Sequence, residues 1–298
     1  MLKDVSRREF LALAGAAATS PTWLDAGAAV PRQGGTVQDV MARVLERLPA
    51  VTTPNPVDGL KAGRADLVVK GIATTAIASA DAIRRAADRG RNLVITLEPT
   101  FYARADAASP ENRATDAVFA AKRALIADLD VAVWRLRDRW FARRPDPMLE
   151  GLVETLDWKR YQSETAPHRV VLPETTLREV VAHVERQLGA RALRVVGAAD
   201  LRVSRIVLSP GPSAPAMTFG NLATADVILA GEPREWEGVE YVQDTITAGG
   251  AKAMILAGRL LTEGPGMRVM AAWLTSLLPG TPVEVLPTFD PYWRPIVA

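Results

Sequence analysis

Cysteine is absent from the chain, and only two histidines, His168 and His183, occur in its 298 residues. Without thiols there is no disulfide framework, thiolate zinc site, iron–sulfur cluster or cysteine nucleophile. Two imidazoles rule out any site that needs three, and they argue against a Ser-His-Asp hydrolase. No serine occupies a strand–turn–helix elbow. A glycine-rich phosphate loop is also lacking: Gly211-Pro212-Ser213 runs toward Pro215 rather than a helix start, and Gly249-Gly250 ends a helix. Neither sign of charge dominates. Lys plus Arg is 36 against 34 for Asp plus Glu, which argues against nucleic acid as the main partner. What is present is apolar material, 48% of the chain, enough for one large core or two smaller ones.

Residues 1 to about 30 carry a targeting pattern. Ser6-Arg7-Arg8-Glu9-Phe10-Leu11 is a twin-arginine sequence, Ala12 to Ala18 is rich in Gly and Ala, and Ala26-Gly27-Ala28 offers a small-residue cleavage site. The apolar run falls short of the roughly 20 residues that span a bilayer, so no stable anchor is expected. The expectation is export by the twin-arginine pathway to a periplasmic or extracellular location.

From Thr36 onward the pattern alternates strands and helices. Val37, Val40, Met41, Val44 and Leu48 recur at helical spacing up to Pro49. A turn-rich loop at 55–63 precedes a strand expected at Leu67 to Ile72. A helix marked by Ile77, Ala80, Ile83 and Ala87 then leads to Gly90 and a buried strand, Leu93 to Leu97. This β-α-β unit predicts parallel strands. A helix with Phe119 and Ile126 and a strand Val131 to Leu136 follow. Thr176-Leu177-Arg178-Glu179 reads as a capping box for the helix carrying Val180, Val184 and Leu188. Strands are expected at Leu193 to Val196 and Val203 to Leu208, and Pro210 to Pro215 reads as a flexible linker. Thereafter come a strand Val227 to Ala230, a helix near Trp236 to Ala248, a strand Ala253 to Ala257, a helix Glu263 to Leu278 and a strand Val283 to Leu286. The fold class is α/β. Its expected organisation is a two-part core, 36–150 and 216–298, interrupted by a smaller middle lobe at 151–210.

Charged residues collect at strand ends. Glu98, Arg137, Asp138, Arg139, Glu232, Arg259 and Glu263 all lie at or just past the C-terminal end of an expected strand. In a parallel sheet those ends share one edge, so the residues either converge on one crevice or are separate solvated loop charges. His183 falls off the apolar face of its helix, and His168 follows Pro167 in a loop; both read as solvated. Five tryptophans (Trp134, Trp140, Trp158, Trp236 and Trp293) read as packing residues before ligand contacts.

Six stretches carry a family resemblance: Asp58-Gly59-Leu60-Lys61-Ala62-Gly63, Gly71-Ile72-Ala73-Thr74-Thr75, NLVITLEPTFY at 92–102, VWRLRDRWF at 133–141, GEPREWEGVEY at 231–241 and GRLLTEGPGM at 258–267, with Asp290-Pro291-Tyr292-Trp293 near the end. In this order they resemble the Nif-three-like family of dinuclear-metal-centre proteins, particularly its exported bacterial branch. The resemblance implies an α/β core with a middle lobe and a homo-oligomer, a trimer-based hexamer. Members are labelled as GTP cyclohydrolase type, a label not carried over here.

The departures from the family pattern concern the metal. Five positions align with its metal ligands: Leu97, Glu98, Phe141, Arg259 and Glu263. The family also has histidines near Arg104, Arg137 and Arg139. Leucine and phenylalanine offer no donor atom, and guanidinium is a permanent cation without an acceptor. Two readings follow. In the first, the dinuclear centre is lost, no cofactor is bound, and Arg104, Arg137, Arg139 and Arg259 line a crevice for a small anionic ligand. In the alternative, the chain is a hydrolase keeping one divalent cation on Glu98, Glu263 and Asp138, with water completing the shell.

Overall fold

Short segments rich in aliphatic and β-branched residues generate the strands of two five-stranded sheets. The computed structural model describes residues 35–54, 56–103, 106, 116–287 and 292, so the twin-arginine segment, Arg104 and Trp293 lie outside the described residues. All the elements below belong to one compact unit, Gln33–Ala298.

The first sheet contains β1 (Gly59–Ala62), β2 (Ile72–Thr75), β3 (Leu93–Thr96), β4 (Ala132–Arg135) and β10 (Val283–Val285), in the order β1-β4-β3-β2-β10. β2, β3, β4 and β10 are parallel, and β1 is antiparallel to β4. Helices α1 (Val37–Leu45), α2 (Ala80–Asp88), α3 (Ala117–Asp128), α4 (Asp138–Phe141) and α5 (Pro147–Thr155) belong to this part of the chain. The strands β2, β3 and β4 are buried along their whole length, as continuous apolar runs in a covered parallel sheet should be.

The second sheet contains β5 (Arg169–Thr176), β6 (Arg194–Val196), β7 (Arg202–Ser209), β8 (Val227–Ala230) and β9 (Ala253–Leu256), ordered β5-β7-β8-β9-β6. Its centre, β7-β8-β9, is parallel, and β5 and β6 flank it antiparallel. Around it run α6 (Leu177–Leu188), α7 (Pro215–Phe219), a π-helical turn (Glu235–Val239) and α8 (Glu240–Thr247). The capping box at Thr176 and Glu179 is present, and α6 ends on Gly189 in the left-handed region. The chain then returns to the first sheet through α9 (Arg259–Leu277) and β10.

This α/β architecture matches the expected class, with several local differences. The strand expected at Leu67 to Ile72 instead begins at Ile72. The Asn92 side chain takes the preceding backbone groups, accepting from Lys70 N and donating to Val68 O, each at 2.8 Å, so they join no ladder. The turn-rich 55–63 contains β1, and β5 was not expected at all. Its alternation is broken by a register shift between Val171 and Thr175, around Pro173, which hides the strand period. The expected division at 151–210 and 216–298 does not follow the sheets, because β5 and β7 share a sheet with β8 and β9. Sequence spacing carries no information on which distant strands pair. The helix expected from Glu263 starts at Arg259, with Pro265 inside it. Where α5 crosses α9, a Cβ on Gly151 would stand 2.5 Å from the carbonyl carbon of Pro265, so only glycine allows this approach.

Candidate functional site

The C-terminal ends of the parallel strands in both sheets meet at one crevice. From the first sheet, β3 delivers Glu98 and β4 delivers Arg137. From the second, β7 runs into Gly211, β8 into Glu232, and β9 into Arg259 and Glu263 on the first turns of α9. Brought together in this way, Glu98 Oε1 accepts from both Arg137 Nη1 and Arg259 Nη2, the latter at 2.7 Å. Glu263 pairs with the same two cations: its Oε2 lies 3.3 Å from Arg259 Nε and its Oε1 3.5 Å from Arg137 Nη1. Glu232, largely exposed, stands 3.5 Å from Arg259 Nη1. These residues were open between convergence and solvated loops in the sequence. Glu98, Arg137, Glu232, Arg259 and Glu263 converge.

Glu263 is wholly buried. Burial first, and the neighbouring Glu98 charge second, push its carboxyl up to about 7, against the opposing pull of Arg137 and Arg259. Its Oε1 has no hydrogen-bond partner among the described residues. It lies beside Gly211, which holds a φ of +68°, and a Cβ there would come within 3.0 Å of the Glu263 carboxyl carbon. The stretch 210–215, expected as a flexible linker, is therefore a wall of the crevice. Gly211 N donates to Thr262 Oγ1 at 3.0 Å, and Gly211 O accepts from Glu232 N at 2.8 Å.

Other expected site residues lie elsewhere. Leu97 is buried in the core of the first sheet, and Phe141 packs against that core. The Arg137 guanidinium stacks 4.4 Å from the Phe141 ring centre. Asp138 turns its carboxylate to Val57 N at 2.8 Å. Arg139 donates to Leu45 O at 3.3 Å, toward α1. Neither Asp138 nor Arg139 joins the ion pairs with Glu98 and Glu263. His183, expected to be solvated, donates to Leu156 O from Nε2 at 2.7 Å and stacks on Trp158. Trp134, Trp140 and Trp158 are core residues, whereas Trp236 is 71% exposed.

Two sets of residues that shape the site escaped the sequence reading. Asp58 accepts from the backbone N–H groups of Arg137, Asp138 and Arg139 at 2.6, 2.7 and 3.0 Å. It thereby fixes the turn from which Arg137 projects. Behind Glu98, Arg135 donates from Nε to Leu97 O at 2.9 Å and pairs with Asp106 at 3.2 Å, both side chains only 3% exposed. Asp106 also accepts from Thr100 N and Phe101 N. Lys122, whose ammonium is pushed down to about 8 mainly by burial, donates to Thr100 O at 2.6 Å. Together these groups pin the turn 97–101 that presents Glu98. The available signal was Arg135 itself, a charge inside an otherwise apolar strand, which implies a buried partner.

The dinuclear metal centre implied by the family resemblance does not fit these residues. Two ions about 3.5–4 Å apart need several donors around each. Here the two carboxylates already share two guanidiniums, Leu97 and Phe141 have no donor, and Arg259 is a cation. Among the described residues no three His, Cys, Asp or Glu side chains are grouped to hold a metal, so the trio of Glu98, Asp138 and Glu263 is not assembled.

No protein-family model matches the chain, and no curated protein matches it. Solved structures do. A hypothetical protein of Staphylococcus aureus, SA1388, superposes with a TM-score of 0.69 at 13% identity, over 88% of this chain and 99% of its own. A Bacillus cereus protein related to NIF3 gives 0.69 at 11% identity, over 87% and 99%. The protein ybgI, described as of unknown function, gives 0.67 at 17% identity, over 86% and 100%. Identities this low speak to the fold alone: the chain is an α/β protein with the NIF3-type fold.

Proposed function

We propose that this chain is an exported member of the Nif-three-like family in which an internal arginine–carboxylate network stands where the family's dinuclear metal centre would be, and that this crevice binds a small anion. The observation that carries the reading is the double engagement of Glu98 and Glu263 by Arg137 and Arg259. A dication entering there would meet two fixed positive charges and would have to displace them from both carboxylates. The guanidiniums keep donors to spare. Among the described residues Nε and Nη2 of Arg137 make no hydrogen bond or ion pair, and Arg259 Nη1 is paired, at 3.5 Å, with the exposed carboxylate of Glu232. A phosphate or carboxylate taking the place of Glu232 would gain a planar, charge-assisted seat. Export rests on the twin-arginine pattern, and a homo-oligomeric assembly on the family resemblance.

The test is metal content by elemental mass spectrometry after exposure of the purified chain to Zn²⁺, Mn²⁺, Fe²⁺ and Mg²⁺, paired with calorimetric titration of inorganic phosphate. The expected result is no stoichiometric metal, and phosphate binding that is lost in Arg137→Ala. About two metals per chain would overturn the reading. About one would favour a hydrolase working with a single cation on Glu98 and Glu263.

A further inference from the structure

On a neighbouring face of α9, away from the ion-paired crevice, lies a cleft of about 400 Å³ between α9, the C-terminal end of α6 and the end of β10. That volume falls within the range of small-molecule sites, which are apolar with a few convergent polar groups. The floor is aliphatic, formed by Leu188, Leu260, Met267 and Leu286. Every charged side chain lining it, among the described residues, is an arginine: Arg85, Arg191 and Arg268. Arg85 is already engaged, by Asp81 at 2.8 Å and by Pro287 O at 2.9 Å. Arg191 and Arg268 have no carboxylate partner among the described residues. Arg268 makes only a neutral contact, from Nη2 to Thr155 Oγ1 at 2.5 Å. An apolar floor beneath unneutralised guanidiniums is complementary to one chemical class.

We infer that this cleft is a second binding site, for an amphipathic anion with a carboxylate or phosphate head and an apolar tail. The tail lies over the aliphatic floor, where burial removes it from water. The head meets Arg191 and Arg268, which present paired N–H donors to two oxygens at once. Gly264 keeps the cleft open. It lies in the wall formed by α9, and a Cβ built there would meet nothing within 4 Å. Since leucine is also the better helix former, Gly264→Leu should fill the cleft without harming the helix.

The experiment is calorimetric titration of the whole chain with decanoate and with decyl phosphate, both below their micellar concentrations, and with decanol and acetate as comparisons. Saturable binding at one site per chain is expected for at least one of the two anions, and the tighter of them identifies the head group. Decanol and acetate should bind at least about tenfold more weakly than the tighter anion, as should that anion to the double variant Arg191→Ala, Arg268→Ala. Gly264→Leu should abolish binding. The inference is overturned if neither anion binds saturably, if decanol binds as tightly as the tighter anion, or if Gly264→Leu binds that anion like the parent chain. The cleft shares no residue with the crevice. Loss of phosphate binding in Arg137→Ala and loss of the tighter amphipathic anion in Gly264→Leu are therefore separate readouts, and either reading can fail alone.

Discussion

Replacing Glu263 by glutamine tests the electrostatics of the crevice most directly. Glu263 is fully buried, and its carboxyl rises from 4.5 to about 7. Between those values the folded chain holds a proton that the unfolded chain has released. Stability therefore falls as pH rises from about 4.5 to about 7, and the loss is complete above the folded value. A rise of this size corresponds to about 3 kcal/mol. For a chain of this length that is about 5 °C in Tm. Glutamine has nearly the same shape and no charge to titrate, so Glu263→Gln should lack this component of the slope. Its absolute stability at alkaline pH is a poorer guide, because the substitution also removes a carboxylate from Arg137 and Arg259. The assay is urea unfolding of both proteins at intervals from pH 4.5 to 8, reading the difference between the two curves. Both histidines and the carboxylates away from the crevice are common to the pair and cancel, whereas Glu98, which shares Arg137 and Arg259 with Glu263, titrates together with it and is read as part of the same component. Parallel curves, or a parent chain that gains on the variant as pH rises, would refute the reasoning.

Two further substitutions probe how the crevice is held. Asp106→Ala removes the partner of buried Arg135 and leaves Thr100 N and Phe101 N without their acceptor. It should cost about 3–5 kcal/mol in urea unfolding, and a loss under about 1 kcal/mol would show that the pair does not pin the turn. Gly151→Ala places a methyl group against the Pro265 backbone. It should destabilise by about 1–3 kcal/mol through separation of α5 and α9, and an unchanged unfolding midpoint would contradict the close crossing.

Much of the crevice was legible because its residues follow strands. A short apolar run ended by Glu98-Pro99, another by Arg137 and a third by Gly258-Arg259 each announce a strand end, and parallel strands place such ends on a common edge. That Leu97, Phe141 and Arg259 offer no metal donor was equally plain, since donor chemistry belongs to the residue type. Asp138 and Arg139 misled for a physical reason. Adjacent residues on a tight helical turn point in different directions, so Arg137 enters the crevice while Asp138 and Arg139 bond to backbone on either side. Asp58 and Asp106 were hidden because each acts on backbone N–H groups far along the chain or across a turn, and no spacing rule records that. Gly211 read as part of a linker, although its missing side chain is what lets Glu263 fit.

The amino-acid sequence by itself determined the α/β class, the exclusion of thiol chemistry and of three-imidazole sites, and the identity of the charges at the strand ends. These depend on composition and on local hydrophobic period. Tertiary structure decided which charges meet. It joined β10 to β2 and β5 to β7, set Arg137 and Arg259 on the same oxygen of Glu98 from two different sheets, and buried Glu263 deeply enough to raise its pKa. Those outcomes rest on contacts between residues far apart in the chain, 161 positions in the Arg259–Glu98 pair and more in the Val283–Ile72 pairing of β10 with β2. They depend on packing and desolvation, which exist only once the chain has folded.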